Sequence, residues 1–498
     1  MSPTDVNGAS APQSPMEEPD NTARNRLVIG LLLVSAFVVI LNETIMSVAI
    51  PHLMEDLQIS ASAAQWLTSA FMLTMAVVIP ITGYLLQRLN TRPVFVLAMS
   101  AFSAGTLLSG IAPGFELLLV GRIVQACGTA IMMPLLMTTI MNLVPPESRG
   151  RTMGNISIVI SVAPALGPTI GGFILEHLEW RWMFYLVLPI ALASLALGAA
   201  KIQNVTTPSK APLDFISVVL AALGFGGLVY GLSSLGGDAS HGGGASIFPA
   251  WAPVLVGLVG LGMFVARQFS LQKRDAALLD LRTFKTPVFA VSVVMMGISM
   301  MAMFGSLILL PIYMQNVLGL DASQSGLMLL PGGLVMGMMA PIVGRLFDKL
   351  GPTVLIVPGT VLVSGVLWGM TTLDQSTSIY FILALHVTLS LGLALMFTPL
   401  FTSSLGSLPR HLYSHGSAVI GTIQQVAGAA GIALFVSLMT LRAADLVAEG
   451  VEVIPAMSQG IQLAFLFGAV ISMFAIVAAF FIRRPPPQPM GAEPVPGH

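Results

Sequence analysis

The chain has 498 residues, 55% of them hydrophobic and 9% charged, with a net charge of −1. Soluble domains carry about 25% charged residues, so the composition points to a polytopic membrane protein, and a charge near zero suggests no nucleic-acid partner. A single cysteine, Cys127, excludes an intrachain disulfide and a Cys-based metal site, and the lack of a G-x-x-x-x-G-K-[ST] loop excludes an ATPase module of that kind.

Residues 1–26 are rich in Pro, Ser, Asn and acid and read as a disordered tail. The first apolar run is too long for a signal-peptide core and is read as a retained span. Spans of roughly 20 apolar residues are predicted over 27–50, 63–86, 93–112, 115–140, 152–176, 180–200, 213–235, 249–270, 286–312, 325–347, 353–372, 378–400, 414–440 and 459–482, followed by a Pro-rich tail over 483–498. An even number of spans puts both termini on one side. Eighteen of the 21 Lys and Arg fall on that side, Arg181 and Arg442 on the other, and Arg122 within a span. The positive-inside rule then makes the termini cytoplasmic.

Two echoes suggest a repeat. G-Y-L-L-Q-R-L-N from Gly83 matches G-R-L-F-D-K-L-G from Gly344, each at the end of the second span of a bundle. V-P at 144–145 and Gly167 match L-P at 408–409 and Gly431 at the same offset. Two six-span bundles, 27–200 and 286–482, are thus expected, with a linker over 201–285 that carries an inserted span pair. The stretch G-G-D-A-S-H-G-G-G-A is expected to form a flexible loop within that pair. Parallel halves of this kind describe the major facilitator architecture.

Family signatures fall in matching places: L-N-E-T-I-M-S-V-A-I-P in span one (41–51), G-Y-L-L-Q-R-L-N-T-R-P after span two (83–93), R-I-V-Q-A-C-G-T-A in span four (122–130), and A-P-A-L-G-P-T-I-G-G in span five (163–172), with W-R-W-M-F (180–184) after it. On these residues the chain resembles the fourteen-span drug:proton antiporters of the major facilitator superfamily. The L-N-E-T form, with L-P-R-H-L-Y-S-H-G-S-A (408–418), looks most like their lincomycin-resistance branch. The resemblance implies an all-α membrane fold and proton-coupled, alternating-access efflux of amphipathic drugs or antibiotics from the inner membrane. The implied partners are a small-molecule drug or metabolite, protons and the bilayer, with a periplasmic adaptor protein as a further candidate. It implies no cofactor, no metal and no enzymatic activity. The alternatives are export of one endogenous metabolite or siderophore, or a non-transporting receptor on this fold. Three departures stand out: Asn42 replaces the usual span-one aspartate with Glu43 beside it, Gln87 replaces a loop aspartate whose later copy is Asp348, and Ala126 replaces a glycine.

A charge at the centre of a membrane helix costs about 2.5–3.5 kcal/mol on insertion scales, so Glu43 needs a reason. Glu43 and Arg122 fall at equal depth, roughly 10 Å below the outer surface. A carboxyl in a partly dry cavity has its charged form disfavoured, and a nearby Arg122 favours it again. Movement of Arg122, or arrival of a cationic drug, can therefore switch the proton. The alternative is a static pair locking two helices.

Pro164 and Pro168 remove helix hydrogen bonds, and Gly167, Gly171 and Gly172 admit close neighbours, so this run is the expected gate. Gly83, Arg88, Arg92 and Asp348, at helix ends, are the expected cytoplasmic latch. Asn42, Gln65, Trp66, Gln125, Tyr313, Gln424 and Gln425 are the candidates for the substrate path, since each polar group in a span must find a partner or a wet cavity. Methionines crowding span nine, Met295 to Met303, suit a promiscuous surface or plain core filling.

Overall fold

A computed structural model describes residues 21–202, 204, 214–237 and 251–483. Residues 1–20 and 484–498 of the two expected tails, Lys210 and most of the glycine-rich loop lie outside these residues, as do the side chains of Gln65 and Pro168. Residues 21–26, expected within the disordered tail, are instead the first turns of a helix, because the backbone hydrogen bonding of the first span extends back into polar sequence. Among the described residues, fourteen helical segments are long and apolar enough to cross a membrane. In chain order they are α1 (Asn21–Asp56), α2 (Ala61–Arg88), α3 (Thr91–Gly110), α4 (Phe115–Leu143), α5 (Arg149–His177) and α6 (Trp182–Lys201), then α7, α8 (Trp251–Gln272), α9 (Pro287–Asn316), α10 (Ala322–Leu350), α11 (Thr353–Met370), α12 (Ile379–Gly406), α13 (Tyr413–Ala448) and α14 (Val453–Ala479). Helix α7 starts as Phe215–Ala221, passes through a π-helical Ala222–Gly226 and ends as Gly227–Gly237.

Local chemistry explains where these helices begin and end. Ser60 accepts from the Ala63 amide at the start of α2, and Asp321 with Gln324 forms a capping box at the start of α10. Gly351, at φ 82°, turns the chain after α10. Helices α1 and α13 run past the predicted spans, to Asp56 and Ala448. Hydropathy marks only the apolar part of a helix, and backbone hydrogen bonding carries both helices on into polar sequence. Internal prolines, such as Pro80, Pro134 and Pro331, sit within continuous helices, which packed membrane helices tolerate.

The packing sorts the helices into two six-helix bundles, α1–α6 and α9–α14, plus the inserted pair α7–α8. Within the first bundle α3 packs on α4 and α6, and α1 on α4, α5 and α6; within the second α9 packs on α12, α13 and α14, and α11 on α12 and α14. Two seams join the bundles, α5 against α10 and α2 against α13. They relate the second helix of each half to the fifth of the other. Gly167 and Gly431 obey the same repeat: each presses on the first helix of its own bundle, against Thr44 of α1 and Met301 of α9. We call the side bearing Arg24 and Arg483 the terminal face.

Candidate functional site

The site begins with a buried arginine. Arg122, on the first turns of α4, is 1% exposed. Its Nη1 donates to Asn42 Oδ1 at 3.3 Å and to Gln125 Oε1 at 2.9 Å. Its guanidinium lies 4.1 Å from the centre of the Phe71 ring of α2, a cation–π arrangement worth more when desolvated. Gln125 in turn donates to Thr106 Oγ1 of α3 at 2.8 Å. One cation thus links α1, α2 and α4, and through Gln125 reaches α3. The Arg122 Nε, also buried, has no partner.

Glu43 is half-buried on the next position of α1. It interacts electrostatically with Arg122, yet no ion pair within 4.0 Å joins the two among the described residues. The expected Glu43–Arg122 neighbourhood is occupied by Asn42, whose amide oxygen accepts from the guanidinium, while Glu43 stands one residue further along α1.

The proline–glycine run of α5 packs next to this site. Thr44 Oγ1 donates to the Ala163 carbonyl at 3.4 Å. A methyl group on Gly167 would collide with the Thr44 hydroxyl, and one on Gly171 would lie 3.2 Å from the Ile45 carbonyl oxygen. Hydrogen at Gly167 is what lets α5 lie this close to the helix that carries Glu43, and Gly171 leaves a tight contact beside it. Gly172 has nothing within 4 Å, and Pro164 is half-buried.

Polar contacts between the bundles lie on the terminal side of mid-depth. Asp348, at the end of α10, accepts the backbone amides of Gly150 (2.8 Å) and Arg151 (2.9 Å) at the start of α5. The carboxylate of one bundle therefore caps a helix N-terminus of the other, a favoured place for negative charge. A methyl group on Gly150 would sit 2.6 Å from the Gly344 carbonyl oxygen. At the other seam Gln87 Nε2 donates to the His411 carbonyl at 2.8 Å, and Gly83 leaves room for His415, whose Nδ1 would be 3.1 Å from an added methyl. Two hydroxyl pairs follow, Thr138 with Ser417 and Ser157 with Thr398, both at 2.8 Å. Deeper still, Gln425 Nε2 lies 3.7 Å from Met75 Sδ. The Arg88 Nη1 donates to Tyr84 within its own helix, and the Arg92 amide to Asn204.

Among the described residues, the remaining candidates for the substrate path do not converge. Trp66 stacks on Tyr230 of α7, ring centres 5.7 Å apart. Tyr313 is fully buried and donates to the Asp374 carbonyl, tying down the loop before α12. Gln424 is half-buried on α13. The W-R-W-M-F run closes the opposite face of the first bundle: Trp180 Nε1 donates to Asp56 at 2.6 Å, and Arg181 donates to the Ala112 carbonyl and pairs with Asp56. Sequence reasoning missed the cross-seam hydroxyls and His415, because a lone Ser or Thr in an apolar run normally bonds its own helix.

The family description "Major Facilitator Superfamily" matches residues 32–432. The chain is 40% identical over 459 residues to the MFS-type transporter YcnB of Bacillus subtilis, across 92% of this chain and 95% of the relative. It is 39% identical over 464 residues to the lincomycin resistance protein LmrB of the same species, again across 92% and 95%. The human organic anion transporter MFSD10 superimposes with a TM-score of 0.66 at 14% identity, covering 91% of this chain and 99% of that one. Fourteen apolar helices, two six-helix bundles related by a repeat and these matches together define a multi-pass membrane transporter rather than an enzyme: the chain belongs to the major facilitator superfamily.

Proposed function

We propose that this chain exports an amphipathic drug-like molecule across the cytoplasmic membrane in exchange for protons, by alternating access, with the terminal face in the cytoplasm. The bundles are 27–200 and 286–482, and 201–285 is the linker that carries α7 and α8. The observation that carries the proposal is Glu43: a half-buried carboxylate whose neighbouring cation is already held by Asn42 and Gln125. A carboxylate kept only to lock helices would be paired to its arginine. Glu43 instead has oxygens available to a proton arriving from outside or to a cationic substrate arriving from the cytoplasm or inner leaflet, and the two compete for one charge.

Several further observations support the reading. The positive charge of the terminal face fits a cytoplasmic side. The Asp348 and Gln87 contacts serve as latches that hold that face shut while the other opens. The Gly167 and Gly171 packing lets α5 move as a gate against α1. The relative LmrB, named for lincomycin resistance, suggests lincosamides among the substrates.

The test is proton movement in everted, energised vesicles followed with a pH-sensitive dye, adding a lincosamide or a lipophilic cation to the parent and to Glu43→Gln. Drug-dependent proton release in the parent alone is the expected result. An equal response in both removes Glu43 from coupling. No response in either, from correctly inserted protein, moves a dedicated metabolite exporter ahead.

A further inference from the structure

The inserted helices touch the transport machinery at one of its two seams. Helix α7 packs against α2 and α13 together. Gly226, in its π-helical stretch, lies against Leu73 and Val77 of α2, and Tyr230 stacks on Trp66. A π-helical segment inside a helix often marks a working position.

At the terminal face the pair is tied down by a continuous polar chain. Asp214 caps α7, taking the Ser217 amide at 3.0 Å and hydroxyl at 2.6 Å, and receives a two-pronged pair from Arg267 of α8 at 2.6 and 2.8 Å. Gln268, fully buried on α8, donates to Ser217 Oγ at 2.9 Å. Its Oε1 accepts the amides of Leu278 and Leu279 at 2.8 and 3.3 Å. That fixes the segment leading into α9. Within it Asp280, 3% exposed, takes the amide and guanidinium of Arg282 at 2.8 Å. Burial raises the Asp280 carboxyl; the Arg282 hydrogen bonds and the charges beside it together outweigh that and hold the group below the usual carboxylate range, so it is charged. This charge acts on His415 of α13, whose ring also reaches the Leu278 backbone. His415 in turn is the residue that fills the space beside Gly83 of α2.

We propose that Gln268 and Asp280 are positioning residues: through the 275–286 segment they fasten the inserted pair to the start of α13 and so hold the α2–α13 seam closed at the terminal face. This rests on the alternating-access reading above. Because α7 lies on both α2 and α13, the seam cannot part there unless α7 slides on α2 or the segment lets go of α13. The inserted pair is then a strap that sets how often the terminal face opens.

The experiment measures the seam itself and needs no substrate. Spin labels are placed at Asn90 and Arg410, one in each bundle beside the seam, in a Cys127→Ser background, and the distance distribution is recorded by double electron–electron resonance in lipid nanodiscs. Gln268→Leu removes the acceptor for two amides, and the expected result is about a three- to tenfold rise in the population at long distance. Gln268→Glu keeps an accepting oxygen and should return the parent distribution. Where Gln268→Leu does not insert, Asp280→Asn, which keeps the cap but discharges the group facing His415, is expected to shift the distribution the same way. A parent-like distribution in the inserted variants overturns the strap. A loosened seam in a protein that moves no drug or proton overturns the efflux reading and leaves the strap standing.

Discussion

Asn42 and Glu43 divide between them two tasks that a single aspartate would have to combine. The amide satisfies a buried guanidinium without a second charge, and the carboxylate next to it, turned by about 100° on the helix, is the one the proposed function gives to the proton. Arg122 therefore depends on its neutral partners. Removing one leaves a buried charged donor under-satisfied, at about 1.5–3 kcal/mol. Asn42→Leu is expected to lower the melting temperature in detergent and to cut efflux about tenfold or more, while Asn42→Asp, which still offers an acceptor, keeps the fold. Equal melting of Asn42→Leu and the parent would show that Gln125 and the Phe71 ring suffice. This division was only partly legible in the sequence. A lone Arg and a lone Glu at one depth in two apolar spans had to be read together, but which of two adjacent side chains faces Arg122 depends on the rotation of α1, and packing against α4 and α5 sets that rotation.

At the scale of the helix, contact distance decides what each glycine does. Gly167 has no room for a methyl group beside Thr44, Gly171 has a few tenths of an ångström to find beside Ile45, and Gly30 has open space. Overpacking of this kind costs about 1–3 kcal/mol. Gly167→Ala should therefore impair efflux more than Gly171→Ala, with Gly30→Ala at the parent level, as read by drug accumulation in cells at matched expression. The start of α7 yields a pH prediction. The Arg267 hydrogen bonds hold the Asp214 carboxyl well below the usual carboxylate range. A depressed folded value contributes stability above the unfolded value of about 3.9 and loses it as pH falls further. The melting difference between the parent and Asp214→Asn should stay level from pH 8 to about pH 5 and shrink only below about pH 4. A difference already fading at pH 6 would show that the pair is not what secures α7. Helix number and order were legible because apolar length and the alternation of basic loops are written along the chain. Helix ends were not, since backbone hydrogen bonding carries α1 and α13 beyond their apolar stretches. The pairings Thr138–Ser417 and Ser157–Thr398 were not legible either, because they arise only once two helices distant in sequence are brought together.

The molecule as a whole is a repeat whose halves have been made unequal in two places. The glycine that presses on α1 at Thr44 has its counterpart pressing on α9 at Met301, so the position of Glu43 corresponds to Met300, 4% exposed. The second bundle carries an apolar, adaptable side chain where the first carries the carboxylate, so on the proposed reading the proton site belongs to one half alone. The seams are unequal in the same sense. Asp348 closes α10 on α5 with two charge-assisted bonds to a helix N-terminus, while Gln87, its counterpart, closes α2 on α13 with one neutral bond to the His411 carbonyl. Charge-assisted bonds are roughly twice as strong as neutral ones, so the α5–α10 seam should be the firmer. With Ser161→Cys as a buried reporter on α5 in a Cys127→Ser background, a membrane-impermeant maleimide supplied from the terminal face should label Asp348→Asn about tenfold faster than the parent. Gln87→Leu should be labelled only about threefold faster. The opposite ranking would mean that the inserted pair and its segment, rather than Asp348, bear most of the closure, and would move the principal latch from α5–α10 to α2–α13.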